Sequence, residues 1–233
     1  MTSDRPSDDP QPGPEIRAYQ VIRATWLSRK PGREAFPAAV YSVLAVAMGS
    51  VMAWRNFHGA AEWMPASREA VFMRGELWRL WTTTLVHADL GHLLSNGFLL
   101  FVLGYFLTGY FGLRVFPLMA VVMAGAIHAG ALLTYRPEVR LVGASGVVFW
   151  MGGAWLILYF FLNRQKSLGQ RALRALGVGL MLFAPSQAFD PDISYRTHAV
   201  GFGLGLLWGL VYYLLHRRTF RAAEVVETVQ DVE

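Results

Sequence analysis

The chain has 233 residues, of which 54% are hydrophobic and only 16% charged, with no cysteine and a formal charge of +5. A composition so apolar and charge-poor excludes an ordinary soluble domain of this length and points to a membrane protein. The missing cysteines exclude a structural disulfide, a thiolate nucleophile and a Cys-ligated zinc or iron-sulfur site, so nucleophilic chemistry has to use an alcohol or a metal.

Residues 1–34 are polar and Pro-rich and read as a cytoplasmic tail whose beginning is disordered. They lack the basic start and apolar core of a cleavable signal peptide. Uncharged stretches follow at 35–54, 90–113, 115–135, 141–163, 175–189 and 197–216. Five of the six reach the ~20 residues that cross ~30 Å of hydrocarbon as a helix, while the fifth is short and carries Pro185. The predicted fold class is therefore all-α, a six-span polytopic bundle over 35–216, followed by a cytoplasmic tail at 217–233 that ends in acidic residues. The longest connection, 55–89, holds Trp63, Met64, Met73, Trp78 and Trp81 and is expected to lie along the membrane surface.

With the N-terminus inside, thirteen basic residues near span ends face the cytoplasm: Arg17, Arg23, Arg29, Lys30 and Arg33, then Arg114, then Arg164, Lys166, Arg171 and Arg174, then Arg217, Arg218 and Arg221. Seven face the other side. The positive-inside rule thus predicts both termini in the cytoplasm and accounts for the net charge without nucleic acid.

Polar groups inside spans are expensive and mark function. Span two opens with His87, Asp89, His92, Ser95 and Asn96, span four with Gly143-Ala144-Ser145-Gly146, and span six with Thr197-His198. In a six-span topology all three spans start on the outer face, so these residues share one shallow level. His92 and Asn96, four apart, lie on one helical face. Gly201, Gly205 and Gly209 make a small-xxx-small ridge on span six, and Gly143, Gly146, Gly152 and Gly153 offer a matching surface on span four. Packing on those glycines would bring His198 to Ser145 as the base that a weak serine nucleophile needs. The Ser145 backbone N–H, the Asn96 amide and a His92 ring N–H are candidate donors to a tetrahedral oxyanion. Asp190 and Asp192 have no spacing that would orient His198, which favours a dyad.

In this arrangement the chain resembles the rhomboid family of intramembrane proteases. The resemblance rests on Arg74-Gly-Glu-Leu-Trp-Arg-Leu-Trp-Thr-Thr-Thr-Leu-Val-His87 with Trp78 and Arg79, on His92-xxx-Asn96, on Gly143-Ala144-Ser145-Gly146, and on His198-xx-Gly201-xxx-Gly205. It implies Ser145 as nucleophile, His198 as general base and His92 with Asn96 as the oxyanion pair. Trp78 and Arg79 match a structural motif of the first outer loop. It further implies a cofactor-free endopeptidase acting on transmembrane or membrane-adjacent segments of other proteins and admitting them beside span five; the compact six-span layout points to the bacterial inner membrane. Two positions depart from the family pattern: Thr108 stands where many bacterial members carry glutamate, and Phe149 where they carry tyrosine. Phe149 keeps a ring to pack on His198, and the change at Thr108 bears on stability rather than chemistry.

Other readings exist for the same residues. Ser145 alone is a small residue at a helix crossing, and His92 with Asn96 can serve as interhelical hydrogen bonds. His87 reads as structural at the interface, and His128, alone on span three, as a packed polar residue. A catalytically inactive rhomboid-like protein that binds client helices is the runner-up function. A zinc site on His87, His92 and His198 is a third reading, which leaves Gly143-Ala144-Ser145-Gly146 unexplained.

Overall fold

The computed structural model describes residues 16–183 and 194–232. Its long helices are α1 (Ala35–Trp54), α4 (Leu90–Phe111), α5 (Ala120–Leu132), α6 (Ser145–Leu162), α7 (Leu168–Phe183) and α8 (Tyr195–Ala222). Two short helices, α2 (Ala60–Trp63) and α3 (Arg79–Thr82), lie in the connection between α1 and α4. A π-helical turn over Arg114–Met119 leads into α5. Among the described residues five helices are long and apolar enough to cross a membrane, namely α1, α4, α5 with its preceding turn, α6 and α8. The short fifth span expected at 175–189 begins earlier, at Leu168, and its part beyond Phe183 lies outside the described residues.

The core is centred on α6. Trp150, Met151, Val148 and Leu158 are fully buried there, against Leu100, Leu103 and Leu107 of α4 and Ile127 of α5. Outward faces carry exposed Phe36, Tyr41, Phe98, Leu118, Leu207 and Leu215. Apolar side chains on the outside of such helices suit lipid rather than water. The α6–α8 contact is as close as helices permit. A Cβ on Gly201 or Gly205 would overlap the carbonyl oxygen of Gly146 or Trp150, and one on Gly153 would stand 2.6 Å from Phe202 O. The glycine ridge thus packs backbone on backbone, while Gly143 faces His92 instead.

Two features extend past the expected spans. α8 continues beyond 216 to Ala222. After it, β2 (Val225–Val232) pairs antiparallel with β1 (Ile16–Ala24), Tyr19 opposite Val229 and Val21 opposite Glu227. Arg23 and Glu227 form an ion pair at 2.6 Å on this ribbon. Arg164, just past α6, pairs with Glu224 at 2.8 Å. The segments flanking the helices at this end are therefore ordered against each other.

Candidate active site

α4 starts where it does because Asp89 caps it: its carboxylate accepts from the His92 N–H at 2.8 Å, satisfying one of the orphan donors of a helix start. This sets His92 and Asn96 on the first two turns. Asn96 is buried, and its Nδ2 has no hydrogen-bond partner among the described residues. A buried, unspent amide donor is costly unless something arrives to accept from it.

The segment before Ser145 is held from three sides. Leu141 pairs with Ala66 through backbone bonds of 2.7 and 3.2 Å. Gly143 N–H donates to Thr83 O at 3.0 Å, and Thr83 Oγ1 donates to Leu141 O. Ala144 N–H donates to His87 Nε2 at 3.2 Å. That bond makes Nε2 the acceptor, so Nδ1 carries the proton and donates to Ser50 Oγ at 3.0 Å. Trp54 Nε1 donates to His87 O at 2.7 Å. His87 is fully buried, and burial together with nearby His92 pushes its pKa down to about 4, which preserves the neutral tautomer the two bonds require. Both ring nitrogens of His87 are thus spent on hydrogen bonds.

Gly143 has φ +119, a conformation L side chains rarely adopt. A Cβ there would lie 3.1 Å from His92 Nε2 and 3.7 Å from Ser145 Oγ, so the imidazole and the hydroxyl flank one point in space. Ser145 is the first residue of α6, and its N–H belongs to the helix-start donors without an intrahelical acceptor. Four residues on, the Phe149 ring lies flat against His198, with centroids 4.1 Å apart and planes 8° from parallel. His198 therefore stands over the face of α6 that carries Ser145. No hydrogen bond joins Ser145 Oγ to His198 among the described residues.

The outer loop supports this level. Arg79 is buried, with Nη1 donating to Glu62 O at 2.7 Å and Pro65 O at 2.9 Å, and it pairs with Glu76. Trp78 is half exposed and Trp81 Nε1 donates to Val121 O. His128 is packed as expected, its Nδ1 2.9 Å from Leu80 O. Thr108 is fully buried and donates to Phe116 O at 2.9 Å, tying α4 to the turn that follows it. Sequence reasoning missed Ser50, Thr83 and the capping role of Asp89. A serine in the middle of an apolar span was the signal available for Ser50.

Fold and site together define the class: a polytopic helical membrane protein that gathers a serine, two imidazoles and a free amide at one end of its bundle. The family model described as the rhomboid domain matches residues 74–215, and the chain belongs to the rhomboid family. It is 34% identical over 137 residues to the rhomboid protein YdcA of Bacillus subtilis (strain 168), covering 57% of this chain and 66% of that one. It is 32% identical over 136 residues to the rhomboid protease GlpG of Haemophilus influenzae, covering 58% of this chain and 70% of that one. The matched part thus spans about two thirds of each relative.

Proposed function

We propose that this protein is an intramembrane serine endopeptidase that hydrolyses peptide bonds in or near the transmembrane segments of other membrane proteins. The observation that carries the proposal is the convergence at one level of Ser145, His198 held flat on Phe149, His92, and the unpartnered amide of Asn96. Ser145 Oγ attacks the scissile carbonyl carbon while His198 takes its proton. The oxyanion accepts from Asn96 Nδ2, a His92 ring N–H and the Ser145 N–H. His198 then protonates the leaving amine, leaving an acyl-enzyme that water, deprotonated by the same imidazole, cleaves. The substrate helix must unwind locally, because a helical carbonyl is already hydrogen-bonded.

The reading places both termini in the cytoplasm of a bacterium and opens the site to the outer face of the inner membrane. Pairing of β1 with β2 supports placing both termini on one side of the membrane, since strands before the first span and after the last can meet only if the spans are even in number; five apolar helices plus α7 make six. α7 packs chiefly on α6, with Leu168, Leu173 and Leu176 exposed, and that peripheral position suits lateral access for a substrate.

The test is labelling of detergent-purified protein with a fluorophosphonate probe, beside Ser145→Ala and His198→Ala. Labelling lost in both variants is the expected result. A folded protein that never labels is instead a client-binding relative without an activated serine.

A further inference from the structure

At the same end of the bundle as Ser145, a cavity of about 310 Å³ is lined by Tyr135, Arg136, Val139, Tyr195 and Arg196. Two guanidinium groups and two phenol rings line it, and no Asp or Glu is among the described residues that do. Arg196 is held in place: it donates to Thr134 O and sits over the Tyr135 ring, 5.2 Å from its centroid. Tyr135 is fixed in turn by Ser194, with Tyr135 Oη and Ser194 Oγ 2.6 Å apart. Arg136 is exposed and makes no side-chain hydrogen bond or ion pair among the described residues.

From this geometry we infer an anion subsite that takes the carboxylate of a substrate Asp or Glu. A guanidinium fork matches a carboxylate with paired N–H donors. The location favours a peptide over a lipid headgroup. The cavity lies between the two segments that lead into the proposed dyad: 135–139 runs on to Gly143 and Ser145, and Tyr195 sets its ring edge-on to His198, with centroids 6.4 Å apart. A chain laid across Ser145 leaves the dyad between these segments. Val139 precedes Ser145 by six residues, and extended chain covers roughly 20 Å in six residues, so the carboxylate falls within about six residues of the scissile bond. The inference rests on the protease reading and adds a specificity element to it.

The experiment measures binding, which needs no turnover. Ser145→Ala protein in phosphatidylcholine nanodiscs is titrated with fluorescent transmembrane peptides carrying one Glu, or Gln at the same position, stepped through the six residues outside the membrane. The Glu peptide should bind about tenfold tighter than the Gln peptide at one or two positions, the scale of one partly solvated charge-assisted hydrogen bond. Arg136→Ala should remove that preference, and Arg136→Glu should transfer it to a Lys peptide. Arg196→Lys tests the second guanidinium without emptying its place beside Tyr135. Equal binding of Glu and Gln peptides at every position overturns the inference. So does an effect of Arg136→Ala that appears only in phosphatidylglycerol nanodiscs and is the same for every peptide, which would assign the cavity to a headgroup. Fluorophosphonate labelling of the parent protein is scored separately, so a failed protease reading is distinguishable from a failed subsite.

Discussion

The closeness of α6 and α8 can be perturbed at a single atom. A methyl on Gly153 would stand 2.6 Å from Phe202 O and 3.0 Å from Leu206 N, both backbone atoms that no rotamer change can move. Restoring ordinary carbon–oxygen contact requires the helices to part by about 0.8 Å at this level. Phe202 lies one turn below His198 on a rigid helix, so the shift carries the imidazole away from Ser145 and Phe149. Overpacking of this kind costs roughly 1–3 kcal/mol, and a displacement near 1 Å between reacting groups lowers turnover on the order of 10²-fold. Gly153→Ala is therefore expected to lower the thermal unfolding midpoint in detergent and to slow both fluorophosphonate labelling and cleavage of a model transmembrane substrate. Gly203→Ala is the matched control: it adds the same methyl to α8 where nothing lies within 4 Å, and raises helix propensity. If Gly153→Ala labels, cleaves and melts like Gly203→Ala, the proposed link between helix contact and dyad geometry is wrong.

Asn96→Ala removes a buried amide donor that has no partner among the described residues. It should lower kcat by about 10²–10³-fold while leaving the affinity of the Ser145→Ala protein for a substrate peptide unchanged, as read by cleavage kinetics beside peptide titration; a loss confined to affinity would remove Asn96 from the oxyanion role. His87 gives a pH dependence. Its pKa of about 4 in the folded protein lies below the ordinary 6.5, so the unfolded chain binds a proton between these values that the folded one does not. The stabilisation is complete above pH 6.5 and is lost as pH falls toward 4, by at most about 3 kcal/mol. His87→Leu, which cannot titrate, should be the less stable protein at pH 7, with the gap to the parent narrowing between pH 6.5 and 4 in detergent unfolding curves. A gap constant over that range would show that His87 does not set the acid sensitivity.

Much of the fold is carried by hydropathy, a local property. α1 occupies 35–54 as expected, and α4, α6 and α8 begin within a few residues of the predicted starts, because about twenty uncharged residues in lipid have little choice but a helix. The polar residues at the three span starts could be picked out for the same reason: each is an exception to an apolar rule. The β1–β2 ribbon could not, because its strands are short and about 200 residues apart, and neither has a partner until the bundle brings the chain ends together. α7 was displaced from its predicted start because Arg171 and Arg174 find partners on α6, Arg171 donating to Phe160 O and Arg174 to Tyr159 Oη.

The sequence by itself determined the class of the protein, the placement of most of its helices and the candidate residues Ser145, His198, His92 and Asn96, since these depend on composition and on spacing along one chain. Tertiary structure alone decided that His87 bridges Ser50 and Ala144 as a neutral imidazole, that Gly143 must bend through a positive φ beside His92, and that Arg136 and Arg196 share a cavity. Each of these joins segments far apart in the chain, where hydrogen-bond direction and backbone contact depend on how helices pack rather than on any local pattern.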